Sequence, residues 1–155
     1  MPLTKAIKPL AIAILILGFL GFLDATYLTI EHYRNVVPPC SLTSGCEAVL
    51  TSEYNNLFSI PLSLFGAVYY LLILIITFDH LLAARLSLFI RAAKLTLIGF
   101  LMSLYLVSLQ LFVLKSICIY CMFSAIISIS LFILGSIVLA RVKSYAAIQT
   151  AGTRS

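Results

Sequence analysis

The sequence contains little charge. Charged residues make up 10% of its 155 positions and only five are acidic, whereas charged residues form about 25% of an ordinary soluble domain. Hydrophobic residues make up 63%, and the mean hydropathy is +1.17. A soluble domain of this size could not bury so much apolar surface. The composition therefore excludes a soluble protein and predicts one that is surrounded by lipid.

Alternation of apolar and polar residues in segments of about ten, which a membrane β-barrel requires, is also missing. Four apolar runs are instead long enough to cross a hydrocarbon core, which takes about 20 helical residues. The runs are Leu10–Ile30, Ile60–Phe78, the segment between Lys94 and Lys115, and Ile117–Ala140. Backbone polar groups in lipid must pair internally, so these runs predict an all-α integral membrane protein with a four-transmembrane-helix bundle. The first run is too long for a cleaved signal peptide and is interpreted as a membrane anchor.

Positive charges are unevenly distributed among the connections. They precede the first run, occupy the 79–94 connection and follow the fourth run, whereas the other two connections hold only Arg34 and Lys115. The positive-inside rule predicts that both termini and the 79–94 connection are cytoplasmic. We expect a membrane domain over residues 1–143, with a non-cytoplasmic loop at 31–59, and a polar cytoplasmic tail over 144–155 that frays. The net charge of +5 therefore indicates orientation, and no nucleic-acid partner is expected.

The only cysteines are Cys40, Cys46, Cys118 and Cys121, and all four fall on the non-cytoplasmic side of this topology. That side is the oxidising one, where disulfides form and persist. A bridge between Cys40 and Cys46 would close a small ring and contribute about 2 kcal/mol or less through chain entropy. Such a bridge is better suited to thiol exchange than to holding a fold.

The second pair, Cys118-Ile-Tyr-Cys121, lies at the start of the fourth helix. Residues three apart share a helix face, and a helix N-terminus lowers the pKa of a thiol. A CxxC at this position indicates reversible redox chemistry. Two alternatives remain: structural disulfides in a non-catalytic membrane scaffold, and a zinc site, for which the spacing of Cys40 and Cys46 is too wide. A small transporter is disfavoured because no inverted repeat is visible.

At these residues the sequence resembles the vitamin K epoxide reductase (VKOR) family, in particular its short prokaryotic homologues, over nearly the whole chain. The similar segments are Asp24–Leu28, Cys40–Cys46 with a hydroxyl residue at Ser52, Ser59–Gly66, and Cys118–Cys121. The order of the pairs, with CxxC second, is that of this family and the reverse of the DsbB-type oxidases. Ala125 stands four residues after Cys121, and the residues that contact vitamin K in the animal enzymes are not evident. The resemblance therefore favours quinone reduction over epoxide reduction.

The resemblance implies a catalytic relay through all four cysteines. A separate thioredoxin-fold partner, DsbA- or PDI-like, would attack the Cys40–Cys46 disulfide. Freed Cys46 would attack Cys118, and Cys121 would reduce a quinone of menaquinone, ubiquinone or vitamin K type. No metal is expected. The implied location is a prokaryotic plasma membrane with the cysteines outside or in the periplasm, rather than the endoplasmic reticulum.

Three further residues are candidates for binding the quinone or supplying protons. Asp24 is the only carboxylate inside an apolar run, about 9 Å below its outer end at 1.5 Å per residue, and intramembrane ionisable groups are often functional. Its alternative role is a helix-packing hydrogen bond. Ser52 stands at the family's hydroxyl position, although it could equally cap a helix. Tyr120 lies between the CxxC cysteines. Gln110 and Ser103 are interpreted as interhelical hydrogen-bonding residues.

Overall fold

The structure is a computed structural model that describes residues 2–38, 45–52, 56–57 and 60–152. Its helices are α1 (Pro2–Tyr33), α2 (Cys46–Leu50), α3 (Leu62–Ala83), α4 (Leu86–Ser108) and α5 (Ile119–Gly152). A π-helical turn, Leu109–Val113, continues α4. Two short strands, β1 (Asn56–Leu57) and β2 (Ile60–Pro61), pair antiparallel just before α3.

Four of the helices are long and apolar enough to cross a membrane. These spans are Lys5–Tyr33, Leu62–Ala83, Leu86–Val113 and Ile119–Ile148. Large apolar side chains are exposed along all four, including Ile16, Ile75, Leu101 and Ile126. Such exposure is expected where lipid is the solvent, because lipid tails are as apolar as the side chains themselves. The predicted four-helix membrane bundle is confirmed.

The second connection is much shorter than predicted. Residues 79–94 were expected to link two helices, but α3 runs to Ala83 and α4 begins at Leu86. Ala84 adopts a left-handed conformation with φ 51°, which ends α3 abruptly. Across this turn Arg85 Nη1 lies 3.7 Å from Asp79 Oδ1. The basic residues of the predicted connection thus lie mainly on the first turns of α4.

The C-terminal tail also differs from the prediction. The residues after 143 were expected to fray, whereas α5 continues as far as Gly152. Residues 144–152 include three alanines and a glutamine, which have high helix propensity, and they contain no proline. A helix already started in the membrane pays no new nucleation cost, so these residues extend it.

The bundle packs each helix against two neighbours, in the order α1, α3, α4 and α5, with α5 closing against α1. Small residues permit close approach at two positions. A Cβ at Gly21 would lie 2.5 Å from the ring of Tyr70, and one at Gly135 would lie 2.7 Å from Thr96 Oγ1. Close packing of this kind holds membrane helices together when no hydrophobic force acts between them.

The connections sort to two ends of the bundle. Helix α2 packs against the α4–α5 link, which places it at the end where α1 finishes and α3 begins. The α3–α4 turn lies at the opposite end, as do both termini, where Arg141 Nη1 donates to the carbonyl of Ala6 at 3.0 Å. The two ends are called the α2 end and the terminal end below.

We predict that the α2 end is non-cytoplasmic, because the terminal end carries most of the lysine and arginine. Two exposed positions test this prediction in a chain whose native cysteines are replaced by serine: Val37→Cys at the α2 end and Ser87→Cys at the terminal end. An impermeant thiol reagent should label Val37→Cys in intact cells and Ser87→Cys only in inverted vesicles. Equal labelling of both variants in detergent is the control for folding, and the reverse pattern in cells would contradict the topology.

Candidate redox site

The start of α5 is built by an irregular end of α4. After the π-helical turn, Lys115 takes a positive φ of 49° and the chain turns back toward the bundle. The N–H of Ser116 donates to the main-chain carbonyl of Gln110 at 3.1 Å, and the N–H of Cys118 donates to the side-chain Oε1 of Gln110 at 2.9 Å. The carbonyl of Cys118 accepts the first helical bond of α5, from Met122. Cys118 is therefore the residue that caps the helix.

Helix α2 brings Cys46 to Cys118. Cys46, Val49 and Cys118 form one buried cluster, and the two cysteines are 1% and 0% exposed. The preceding Gly45 lies against the main chain of Ile117, where a Cβ would be 2.7 Å from the nitrogen and 2.8 Å from the oxygen. Any larger residue at position 45 would push α2 away from the link. Cys46 is in a disulfide; its expected partner, Cys40, lies outside the described residues.

Cys118 and Cys121 are free thiols, and the Cys121 thiol donates a hydrogen bond to the Cys118 sulfur. This bond is the main reason that the pKa of Cys118 is lowered from 9.0 to about 7. The main-chain N–H groups of Tyr120 and Cys121 also lower it, whereas burial opposes them. Hydrogen bonding to the charged form stabilises a thiolate. The reactive thiolate of the pair is thus expected at Cys118, beside Cys46.

A cavity of about 120 Å³ lies on the other side of Cys121, inside the bundle. Its apolar wall is formed by residues from all five helices, the π-helical turn and the link: Ala25, Leu28, Val49, Leu50, Leu62, Gly66, Leu106, Leu109, Leu114 and Ala125. Its polar wall is formed by Asp24, Ser52, Ser63, Ser103, Gln110, Cys121 and Ser124. Cys121 therefore borders the cavity, whereas Cys118 does not.

Two of the predicted site residues are on this wall. Asp24 lies nine residues before the end of α1, about 13 Å deep at 1.5 Å per residue, because α1 runs on to Tyr33. Its Oδ2 is buried and has no hydrogen-bond partner among the described residues. Ser52 Oγ donates to the carbonyl of Val49 at 2.7 Å, which closes the end of α2. Ser52 thus borders the cavity and lies at the end of a helix, and its contact with a quinone stays a prediction.

Tyr120 is not brought to the cavity. Its ring packs on that of Tyr27 from α1, with the centroids 5.7 Å apart and the planes tilted by 46°. Four polar wall residues were not predicted as site residues: Ser63, Ser103, Gln110 and Ser124. Ser124 follows Cys121 by three residues on the same helix face, a spacing that could have revealed it. Its Oγ lies 2.9 Å from the hydroxyl of Tyr70. Gln110 was read only as an interhelical hydrogen-bonding residue, although buried amides in membrane helices often have a further role.

A second cavity, of about 210 Å³, opens at the α2 end. It is lined by the end of α1 with Glu31 and His32, by residues 35–38, and by Thr51. Leu28, Leu50 and Ser63 line both cavities and form the wall between them. Thr29 Oγ1 supports this wall, since it lies 3.0 Å from Ser63 Oγ. The shared wall is called the partition below.

The inner cavity suits a quinone head group. Ligand sites are mostly apolar with a few placed polar groups, and this wall has that composition. A flat apolar ring could lie against the leucines while the polar groups reach its two carbonyl oxygens. Within the described part of the chain, no group of three or more histidine, cysteine or acidic residues could hold a metal ion.

Comparison with known proteins agrees with this site. A search of curated proteins found no match to the chain. The profile of the vitamin K epoxide reductase family matches residues 12–136, a range that includes all four cysteines and every residue named above as lining the inner cavity. The match covers most of the chain, so this protein belongs to the vitamin K epoxide reductase family of membrane oxidoreductases.

Proposed function

We propose that this protein is a thiol:quinone oxidoreductase that supports disulfide formation. It would reoxidise a separate thioredoxin-fold protein through Cys40 and Cys46, and pass the electrons through Cys118 and Cys121 to a quinone in the inner cavity. One observation carries the proposal: Cys46 and Cys118 share a buried cluster, while Cys121 borders an apolar cavity. This arrangement supports a relay in which electrons pass from Cys46 to Cys118 and then through Cys121 to the cavity.

The first half of the relay consists of disulfide exchanges. A thiolate of the partner attacks the Cys40–Cys46 disulfide at Cys40, and the partner leaves oxidised, with both loop cysteines reduced. The thiolate of Cys46 then attacks Cys118 in the Cys118–Cys121 disulfide and releases Cys121. Cys40 attacks Cys46 in the mixed disulfide, which restores the loop disulfide and leaves Cys118 as a thiolate. Cys46 in a disulfide beside two free thiols corresponds to this stage.

The second half oxidises the Cys118–Cys121 pair. Formation of their disulfide from a thiolate and a thiol releases two electrons and one proton. The quinone takes up both electrons, that proton and a second proton from the surrounding water to become a hydroquinone. The Cys118 thiolate can accept the proton of Cys121, because it already receives the hydrogen bond from that thiol. Cys121 thereby becomes the thiolate that faces the quinone. A hydrogen bond that already points along the direction of proton transfer assists general base catalysis.

Two residues of the cavity wall are proposed to assist the quinone. The unpartnered Oδ2 of Asp24 is available to a quinone oxygen or to a proton passing to it. Ser52 contributes a hydroxyl at the mouth of the cavity, near the end of α2. The quinone is of menaquinone, ubiquinone or vitamin K type. The protein is proposed to act in a prokaryotic plasma membrane, with its cysteines on the outer or periplasmic side.

A non-catalytic scaffold with structural disulfides is the second candidate. It is disfavoured because Cys118 and Cys121 are free thiols with a lowered pKa at Cys118, a combination that promotes exchange. A scaffold would also have no use for a polar-lined cavity bordered by a cysteine.

The proposed order of transfer predicts a mixed disulfide. In Cys121→Ala the thiolate of Cys118 can attack Cys46, and Cys40 is then the only thiol left to reverse the step, because Cys121 is absent. A disulfide between Cys46 and Cys118 should accumulate and be found by mass spectrometry of peptides after acid quenching. Adding Gly45→Ala should reduce its yield by about tenfold, since overpacking typically costs about 1–3 kcal/mol and about 1.4 kcal/mol is a factor of ten.

The matched control is Ala48→Ser, an exposed position of the same short helix, which should leave the yield unchanged. A yield insensitive to Gly45→Ala would show that the close contact with Ile117 is not needed for the exchange. Detection of the Cys40–Cys46 disulfide alone in Cys121→Ala would contradict the relay.

The proposed role of Cys121 predicts that a substitution at this position affects quinone reduction and leaves reduction of the loop disulfide intact. Cys121→Ser should lose quinone reduction, followed by quinone absorbance, because the remaining pair cannot form its disulfide. Reduction of the loop disulfide by a reduced thioredoxin-fold protein should persist, since that exchange needs only the partner's thiolate and the Cys40–Cys46 disulfide. Ser130→Ala, a half-buried position of the same helix that does not line the inner cavity, serves as the control. Quinone reduction that survives in Cys121→Ser would place the electron exit elsewhere.

The lowered pKa of Cys118 predicts a pH dependence. Its thiolate is present above about pH 7 and is lost as the pH falls through that value. In a reduced Cys40→Ser/Cys46→Ser chain, thiolate ultraviolet absorbance should therefore titrate with a midpoint near pH 7. Cys121→Ala in this chain should move the midpoint upward, because it removes the hydrogen bond that is the largest cause of the shift. An unchanged midpoint would mean that the main-chain N–H groups alone lower the pKa.

A further inference from the structure

Gln110 is the buried amide at the point where α4 ceases to be a regular helix. It is 2% exposed and lies in the π-helical turn Leu109–Val113. Single π-helical turns within α-helices occur frequently at functional sites. A buried glutamine facing a cavity in a membrane protein also requires a reason, because an amide in hydrocarbon without partners is costly.

The hydrogen bonds of Gln110 fix the direction of its side chain. Oε1 accepts from the N–H of Cys118 at 2.9 Å, and the main-chain oxygen accepts from the N–H of Ser116 at 3.1 Å. The side-chain nitrogen carries two protons and can only donate. With the oxygen held by Cys118, this nitrogen is the part of the amide left for the inner cavity, whose wall includes Gln110 and Cys121.

Three of the other polar groups on the wall have less to donate. Ser52 gives its proton to the carbonyl of Val49, at 2.7 Å. Ser124 shares its hydroxyl with Tyr70. Asp24 is an acceptor when ionised, and a quinone carbonyl needs a donor. Gln110 therefore provides two neutral N–H donors on the wall of the inner cavity. Its side-chain oxygen is hydrogen-bonded to the main-chain N–H of Cys118, just before α5.

We propose that Gln110 is a quinone-binding residue whose nitrogen donates to one carbonyl oxygen of the quinone while its oxygen holds Cys118. The inference rests on the proposed function and deepens it. One planar amide would then set the position of the quinone relative to the Cys118–Cys121 pair. A donor held in place before the reaction also stabilises the negative charge that develops on the carbonyl oxygen during reduction.

The variant Gln110→Glu keeps one of the two contacts of the amide and removes the other. A carboxylate keeps an acceptor for the N–H of Cys118 and has no proton for the quinone, and protonation restores a donor. Binding of a short-chain benzoquinone and a short-chain naphthoquinone to the reduced, detergent-solubilised protein is measured by equilibrium dialysis between about pH 5 and pH 9. We expect binding about tenfold weaker than wild type at high pH, as for loss of one hydrogen bond, and recovery as the pH is lowered.

Two further variants complete the test. Gln110→Met has similar length and no polar group, so it should weaken quinone binding at every pH and also impair exchange between Cys46 and Cys118. Ser108→Ala, an exposed position two residues before Gln110 whose Oγ donates to the carbonyl of Leu104 at 2.7 Å, should match wild type. Infrared spectra give a direct signature: one quinone C=O band, lowered in wild type, should return toward its free position in Gln110→Met.

Wild-type quinone affinity and an unchanged C=O band in both Gln110 variants would overturn the proposal and leave Gln110 as a cap for α5. Absence of quinone binding in the wild type would overturn it together with the proposed function. Binding that depends on Gln110, in a wild type that exchanges thiols with its partner and never reduces quinone, would support this site and refute the proposed electron transfer. If Gln110→Glu does not fold, the C=O band of Gln110→Met decides alone.

Discussion

In a hydrocarbon environment every backbone N–H and C=O must find a partner within the protein, and this requirement is hardest to meet where helices end. The end of α4 and the start of α5 face this problem together. Gln110 meets it by accepting two main-chain N–H groups, one at its backbone oxygen and one at its side-chain oxygen. The redox helix can therefore begin beside the inner cavity without exposing the N–H of Cys118. Gln110 thereby joins the end of α4 to Cys118, the residue just before α5.

The membrane helices were predictable because composition alone distinguishes them. Runs such as Leu10–Ile30 are continuous and flanked by charge, and the structure differs only by extending them. The ends were less predictable, since Ala84 ends α3 through a left-handed conformation that no residue type signals reliably. Helix propensity after Lys143 outweighed the polar composition that suggested fraying.

The cysteines of the site could be predicted from the sequence, whereas the arrangement of the residues around them could not. The cysteines were predicted as site residues from their spacing and from the side of the membrane on which they fall. Asp24 was predicted from its position inside the first apolar run. A five-residue helix such as α2 leaves no periodic pattern, and its position depends on the fit of Gly45 against Ile117. Tyr120 lies between the cysteines in sequence, yet helical geometry turns it toward Tyr27. Gln110 reaches Cys118 across eight positions only because the π-helical turn changes the direction of the chain.

The partition of Leu28, Leu50 and Ser63 has a consequence for selectivity. The same three side chains line the inner cavity and the cavity at the α2 end, so molecules in the two cavities would meet this wall from opposite sides. Under the proposed relay, the wall would keep a small thiol at the α2 end out of contact with a quinone in the inner cavity. Electrons would then reach the quinone only by way of the cysteines, and the loop would decide which proteins can supply them.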